Sequence, residues 1–125
     1  SEGRVFVGMA DELMRLEDDE LVPYRLSDGR TVSVQWINDL LVARDDSVWI
    51  ASNSGLYQVK GGVLHDLHAA SGIPSTRCTY LLEDDTGTIW AARNEDIVRV
   101  RDGQMNVITR AHGLYEESVY AFVPD

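Results

Sequence analysis

Apolar positions along this chain come in short runs separated by polar turns, most legibly in SVWIASNSGLYQVKGGVLHDL at residues 47 to 67. Runs rich in Val, Ile, Tyr and Trp, bounded by Asn, Asp, Ser and Gly, read as β-strands. Here they predict strands at Ile37 to Ala43, Val48 to Ser52, Leu56 to Lys60 and Val63 to His68. Asp45-Asp46-Ser47, Asn53-Ser54-Gly55 and Gly61-Gly62 supply the turns between them. Asp102-Gly103 repeats the last of these, a tight hairpin in which two residues take positive φ. Helical periodicity is faint. Leu13, Leu16 and Leu21 hint at a helix within residues 9 to 21, but Met9-Ala10-Asp11-Glu12 aligns with a hairpin turn, so strands are expected there as well.

The pattern recurs. Residues 47 to 67 align without a gap on TIWAARNEDIVRVRDGQMNVI, residues 88 to 108, at an offset of 41. Trp49 falls on Trp90, Leu56 on Ile97, Val59 on Val100 and Gly62 on Gly103. The first third joins at an offset of 43, with Val5 on Val48, Phe6 on Trp49, Leu13 on Leu56 and Gly29 on Gly72. Four short antiparallel strands repeating at this period are the mark of β-propeller blades; a β-sandwich built by duplication is the alternative. Phe6, Trp49 and Trp90 are expected to pack between neighbouring sheets.

The fold class expected is therefore all-β: one propeller segment over residues 1–125, made of three four-stranded antiparallel blades. Repeat 2 spans 37–77 and repeat 3 spans 78–118. Repeat 1 joins 1–36 to VYAFVPD at 119–125, which matches Ile37 to Ala43 and Cys78 to Asp84 in register. Three blades are too few to close a ring, and an open arc leaves blade faces and strand edges bare. The expectation is closure by self-association, six blades as a dimer, with 119–125 of one chain serving as inner strand for residues 4–25 of the next. The rival is a longer chain that supplies the missing blades.

Composition changes this picture little: 44% apolar and 26% charged residues are ordinary globular values. The net charge of -10 argues against nucleic acid, whose phosphates are held by Lys and Arg. No apolar stretch is long enough for a membrane helix, so no membrane insertion is expected of this segment, and no signal peptide opens it. Cys78 is the single cysteine, which excludes an intrachain disulfide and a cysteine-built zinc site.

DDSVWIASNSGLYQV at 45–59 resembles the two-component regulator propeller repeat: an Asp-rich turn, a Trp-Ile/Val strand, a short polar turn, then Gly-Leu. EDDTGTIWAARNEDIVRV at 83–100 keeps the turn and the Trp but has Asp96-Ile97 in place of Gly-Leu, and the first repeat has Phe6 for Trp and Glu12-Leu13 for Gly-Leu. The resemblance covers the whole chain. It implies a periplasmic sensing region of a bacterial two-component receptor, non-catalytic and without a cofactor, ahead of kinase, regulator or cyclase modules.

Candidate chemistry is sparse. Walker, dinucleotide, HExxH and G-x-S-x-G motifs are all absent, which lowers the odds of a propeller lyase or hydrolase without removing that alternative. A pure protein-interaction scaffold is a further alternative. Asp45, Asp46, Glu83, Asp84 and Asp85 would project from one face, where each Asp is expected to cap its own turn rather than hold a cation. His65, His68 and His112 are expected to be surface residues and not metal ligands, since His65 and His68 would point to opposite faces of a strand. On the other face, Trp36 and Arg77 occupy equivalent places before the inner strands, with Asp11, Asn53, Asn94, Glu95 and Tyr115 nearby. A Trp and an Arg at a channel mouth suit a carbohydrate or other polar ligand, or a protein partner. The expected ligand-binding set is Trp36, Arg77, Asn53, Asn94, Glu95 and Tyr115.

Overall fold

A computed structural model of the chain describes residues 5–72, 76–94 and 96–108. The first sheet contains β1 (Phe6–Met9), β2 (Glu12–Glu17) and β3 (Glu20–Pro23), hydrogen-bonded in that order. The second contains β4 (Ile37–Val42), β5 (Val48–Ser52), β6 (Gly55–Lys60) and β7 (Val63–Asp66). A short helix, α1 (Leu67–Ser71), follows; the third sheet contains β8 (Cys78–Glu83), β9 (Ile89–Arg93), β10 (Ile97–Arg101) and β11 (Gln104–Ile108). Every pairing between neighbouring strands is antiparallel.

The middle sheet is covered on both sides, and its sequence shows why. Side chains alternate along a strand, so Val48 and Ile50 point one way while Trp49 and Ala51 point the other. Val48, Ile50 and Val59 pack with Leu13, Leu26 and Val32 toward the first sheet. Trp49, Ala51 and Leu56 pack with Ile89, Ala91, Val98 and Val100 toward the third. All five residues of β5 are consequently buried. Gly8 marks a close approach of the first two sheets, since a Cβ there would lie 2.6 Å from Ile37 Cγ2.

The outer hairpins repeat one turn. Asp18-Asp19, Gly61-Gly62 and Asp102-Gly103 all take positive φ at both positions, the twist that matches tight antiparallel strands. Polar stitches join the second and third sheets. Asp39 Oδ2 accepts the Leu81 N–H at 2.9 Å, and the Arg44 guanidinium donates to the carbonyls of Asp84 and Asp85 at 2.6 and 2.9 Å.

Several expectations need correction. Residues 12–17 are not among them, since they form the strand expected there in spite of the helical hint of Leu13 and Leu16. The last strand of repeat 2 stops at Asp66 instead of His68, because the Asp66 carboxylate accepts the N–H groups of His68 and Ala69 and starts α1. His68 is therefore not an outer-strand surface residue but a buried one, whose Nε2 accepts the Leu56 N–H at 3.1 Å. The first sheet has three strands among the described residues; the inner strand assigned to 119–125 lies outside them, as does His112. Phe6 is half-buried and meets Tyr24 edge-to-face at 5.7 Å. Trp90, equivalent to Trp49 by repeat, is half-buried on the side of the third sheet that turns away from the second.

Candidate functional site

The connection between the first two sheets carries the residue whose backbone is least ordinary. Trp36 has φ 46 and is 54% exposed. A bulky residue at positive φ is a steric outlier, costing on the order of 1–3 kcal/mol, and it persists only where its surroundings over-determine it.

Those surroundings are hairpins of both sheets. From the β1–β2 turn, Asp11 Oδ1 accepts the Trp36 N–H at 2.9 Å. The Asp11 and Ala10 carbonyls accept Val34 N–H at 2.8 Å and Ile37 N–H at 2.6 Å. From the β5–β6 turn, Asn53 N–H donates to the carbonyls of Gln35 and Trp36 at 2.8 and 3.1 Å, and Ser54 Oγ accepts Gln35 N–H at 3.4 Å. The backbone on either side of the indole is thus clamped while the ring faces solvent.

The network continues to the third sheet. Asn38 Nδ2 donates to Asn53 Oδ1 and to the Cys78 carbonyl, each at 2.9 Å. Arg77, exposed, is the residue just before Cys78. The structure so brings Trp36 and Asn53 together and ties them, through Asn38, to the backbone beside Arg77. Asn94 is exposed at the matching turn one sheet further on. Glu95 and Tyr115 lie outside the described residues. Asn38 was missed as a site residue; its signal was an Asn at the start of an otherwise apolar inner strand, where only a shared hydrogen bond justifies a half-buried amide.

The departure Asp96-Ile97 in the third repeat has a local compensation. Where the second repeat bonds Ser52 Oγ to the Gly55 carbonyl at 3.1 Å, the third pairs Arg93 with Asp96 through two contacts of 2.7 and 2.9 Å. Both side chains are largely buried, so the pair holds this turn in register rather than meeting a ligand.

The acidic turns do what their residue type predicts. Asp84 accepts from Thr86 Oγ1, the Thr86 and Thr88 N–H groups and the Trp90 indole N–H, which together hold its carboxyl well below the usual carboxylate range. Hydrogen bonds from Ser47 and the nearby Lys60 lower Asp45 in the same way. No cluster of three metal-ligating side chains occurs among the described residues. Burial pushes the Cys78 thiol up to about 12, which makes it a core side chain and not a nucleophile.

Stacked antiparallel sheets, each packing apolar side chains on the next, define a propeller-like repeat protein. The chain aligns, with a TM-score of 0.74 and 21% identity over 94% of its length, on the extracellular domain assigned to a hybrid two-component system of B. thetaiotaomicron. It spans only 17% of that chain. Likeness at this identity shows the fold. No protein-family model and no curated protein sequence matches the chain.

Proposed function

We propose that the chain is a non-catalytic, ligand-sensing part of a β-propeller in a bacterial receptor of the two-component type, exposed to the periplasm. The observation that carries this reading is Trp36: a solvent-facing indole held at φ 46 by hairpins of two successive sheets. A flat apolar ring exposed on a backbone that is bonded to the Asn53 turn suits a saccharide or similar polar ligand. Likeness in fold to the extracellular domain assigned to a hybrid two-component system, and resemblance to the two-component regulator propeller repeat, both support it. The test is a thermal-shift screen over a saccharide panel. Trp36→Ala and Arg77→Ala should each abolish a ligand-induced shift while leaving the unliganded melt within about 2 °C of wild type, as exposed substitutions do. Unchanged shifts in both variants remove these residues from the site.

Self-association into a closed ring is a separate reading, favoured by the outer face of the first sheet. Val5, Leu16 and Leu21 are exposed there, at 49, 40 and 43%. Their equivalents Val48, Val59 and Leu64 in the second sheet are all packed against the first. A dimer by light scattering supports closure by a second copy, and a stable monomer opposes it.

A further inference from the structure

A cleft of about 620 Å³ opens between the second and third sheets, away from Trp36. Both of its walls are made by described residues of this chain, so it does not depend on whatever covers the outer faces. The gap between the first and second sheets is filled by the chain after β3, where Leu26, Val32 and Val34 are buried. After β7 the chain turns into α1, and Leu26 has its repeat equivalent in Ala69, an exposed and much smaller residue. The equivalent place between the first and second sheets, beside Phe6, Tyr24 and Val59, holds a smaller cleft of about 210 Å³.

Its chemistry is specific. Trp49, Gln58 and His65 stand in register across β5, β6 and β7, so they share the face turned to the third sheet. Trp49, Ile89 and Val100 make an apolar floor, each less than a tenth exposed. Above the floor, half-buried Gln58, exposed His65 and the Asp102 carboxylate have no hydrogen-bond or ion-pair partner among the described residues. The lining carries four acids (Asp45, Asp66, Glu83, Asp102) against two bases (Arg44, Lys60). Lys60 is already taken by Asp45 at 3.3 Å, while the Arg44 guanidinium is spent on backbone carbonyls. The surplus is negative, and it sits in a concave wall that concentrates its field. An anion is repelled; an ammonium is drawn in. The apolar floor asks for an apolar body, and the volume falls within the ~300–1,000 Å³ of ordinary small-molecule sites.

We propose that this cleft binds an amphipathic amine: a primary ammonium carried on an apolar, ring-sized body. The body lies on Trp49 and Val100, the ammonium meets Asp102, and the Gln58 carbonyl accepts a second N–H. The proposal stands independently of the Trp36 reading. The test uses fluorotryptophan-labelled protein, whose indole signals are assigned with Trp36→Phe and Trp90→Phe, titrated separately with phenethylamine, phenylacetate and glucose. Phenethylamine is expected to move the Trp49 signal saturably, with weaker binding at higher salt. Asp102→Lys, an exposed change whose cost to the turn at φ 51 is read from its own melt, should weaken that binding about fivefold or more by replacing attraction with repulsion. The proposal is overturned if phenylacetate or glucose moves the Trp49 signal as readily. It is overturned equally if phenethylamine leaves that signal still at about 10 mM, or if Asp102→Lys leaves its affinity unchanged.

Discussion

Trp49 and Trp90 are the same residue by repeat, yet they sit in different physical surroundings, and removing each should show it. Trp49 is 5% exposed, closed between the second and third sheets. Burying an indole removes on the order of 200 Å² from water, which at ~25 cal/mol per Å² is about 5 kcal/mol gross. Compactness of the unfolded chain reduces this by roughly 10–40%, to about 3–4.5 kcal/mol, and the cavity left behind adds to the loss. Trp49→Ala should therefore destabilise by about 3–5 kcal/mol. Trp90 is only half-buried, on a face with no described sheet beyond it, so Trp90→Ala should cost about half as much or less. The assay is urea unfolding followed by circular dichroism, comparing midpoints at a common slope. A loss below about 1 kcal/mol for Trp49→Ala would refute the packing of these sheets. Equal losses for both variants would mean that the outer face of the third sheet is covered in solution.

Three further outcomes follow from the buried and capped groups. Cys78, buried and with its thiol pushed up to about 12, should resist a disulfide reagent at neutral pH in the native state and react at once in denaturant. His68→Ala should cost about 1–3 kcal/mol in the same urea titration, because the Leu56 N–H loses its acceptor inside the core. Asp84 has a folded-state pKa below its ordinary 3.8, so its contribution is present above that value and is lost as pH falls through the lower folded value. Asp84→Asn should accordingly flatten the acid limb of a melting-temperature profile, and an unchanged limb would show that the turn does not depend on this carboxylate.

The sheets were legible in the sequence because their determinants are local and repeated. Turn chemistry at Gly61-Gly62 and Asp102-Gly103, and the apolar run at Val48 to Ser52, each specify their element without reference to the rest of the chain. The end of the second repeat was not. Asp66 can close a strand or cap a helix, and which it does depends on His68 finding the Leu56 N–H across the sheet. The same holds for the site. Position in the repeat placed Trp36 and Asn53 together, but the φ of Trp36 and its dependence on Asp11 come from a hairpin turn 25 residues earlier in the sequence. Asp96 looked like a departure from the repeat; its reason, the partner Arg93, is visible only once the turn is folded.

The proposed sensing role is tested most directly at the Trp36 indole itself. Fluorotryptophan-labelled protein is titrated with the saccharide that gives the largest melting shift, and the three indole signals are followed together. The account predicts that the Trp36 signal moves saturably while the Trp90 signal stays in place. A saccharide that binds while the Trp36 signal remains still would contradict it.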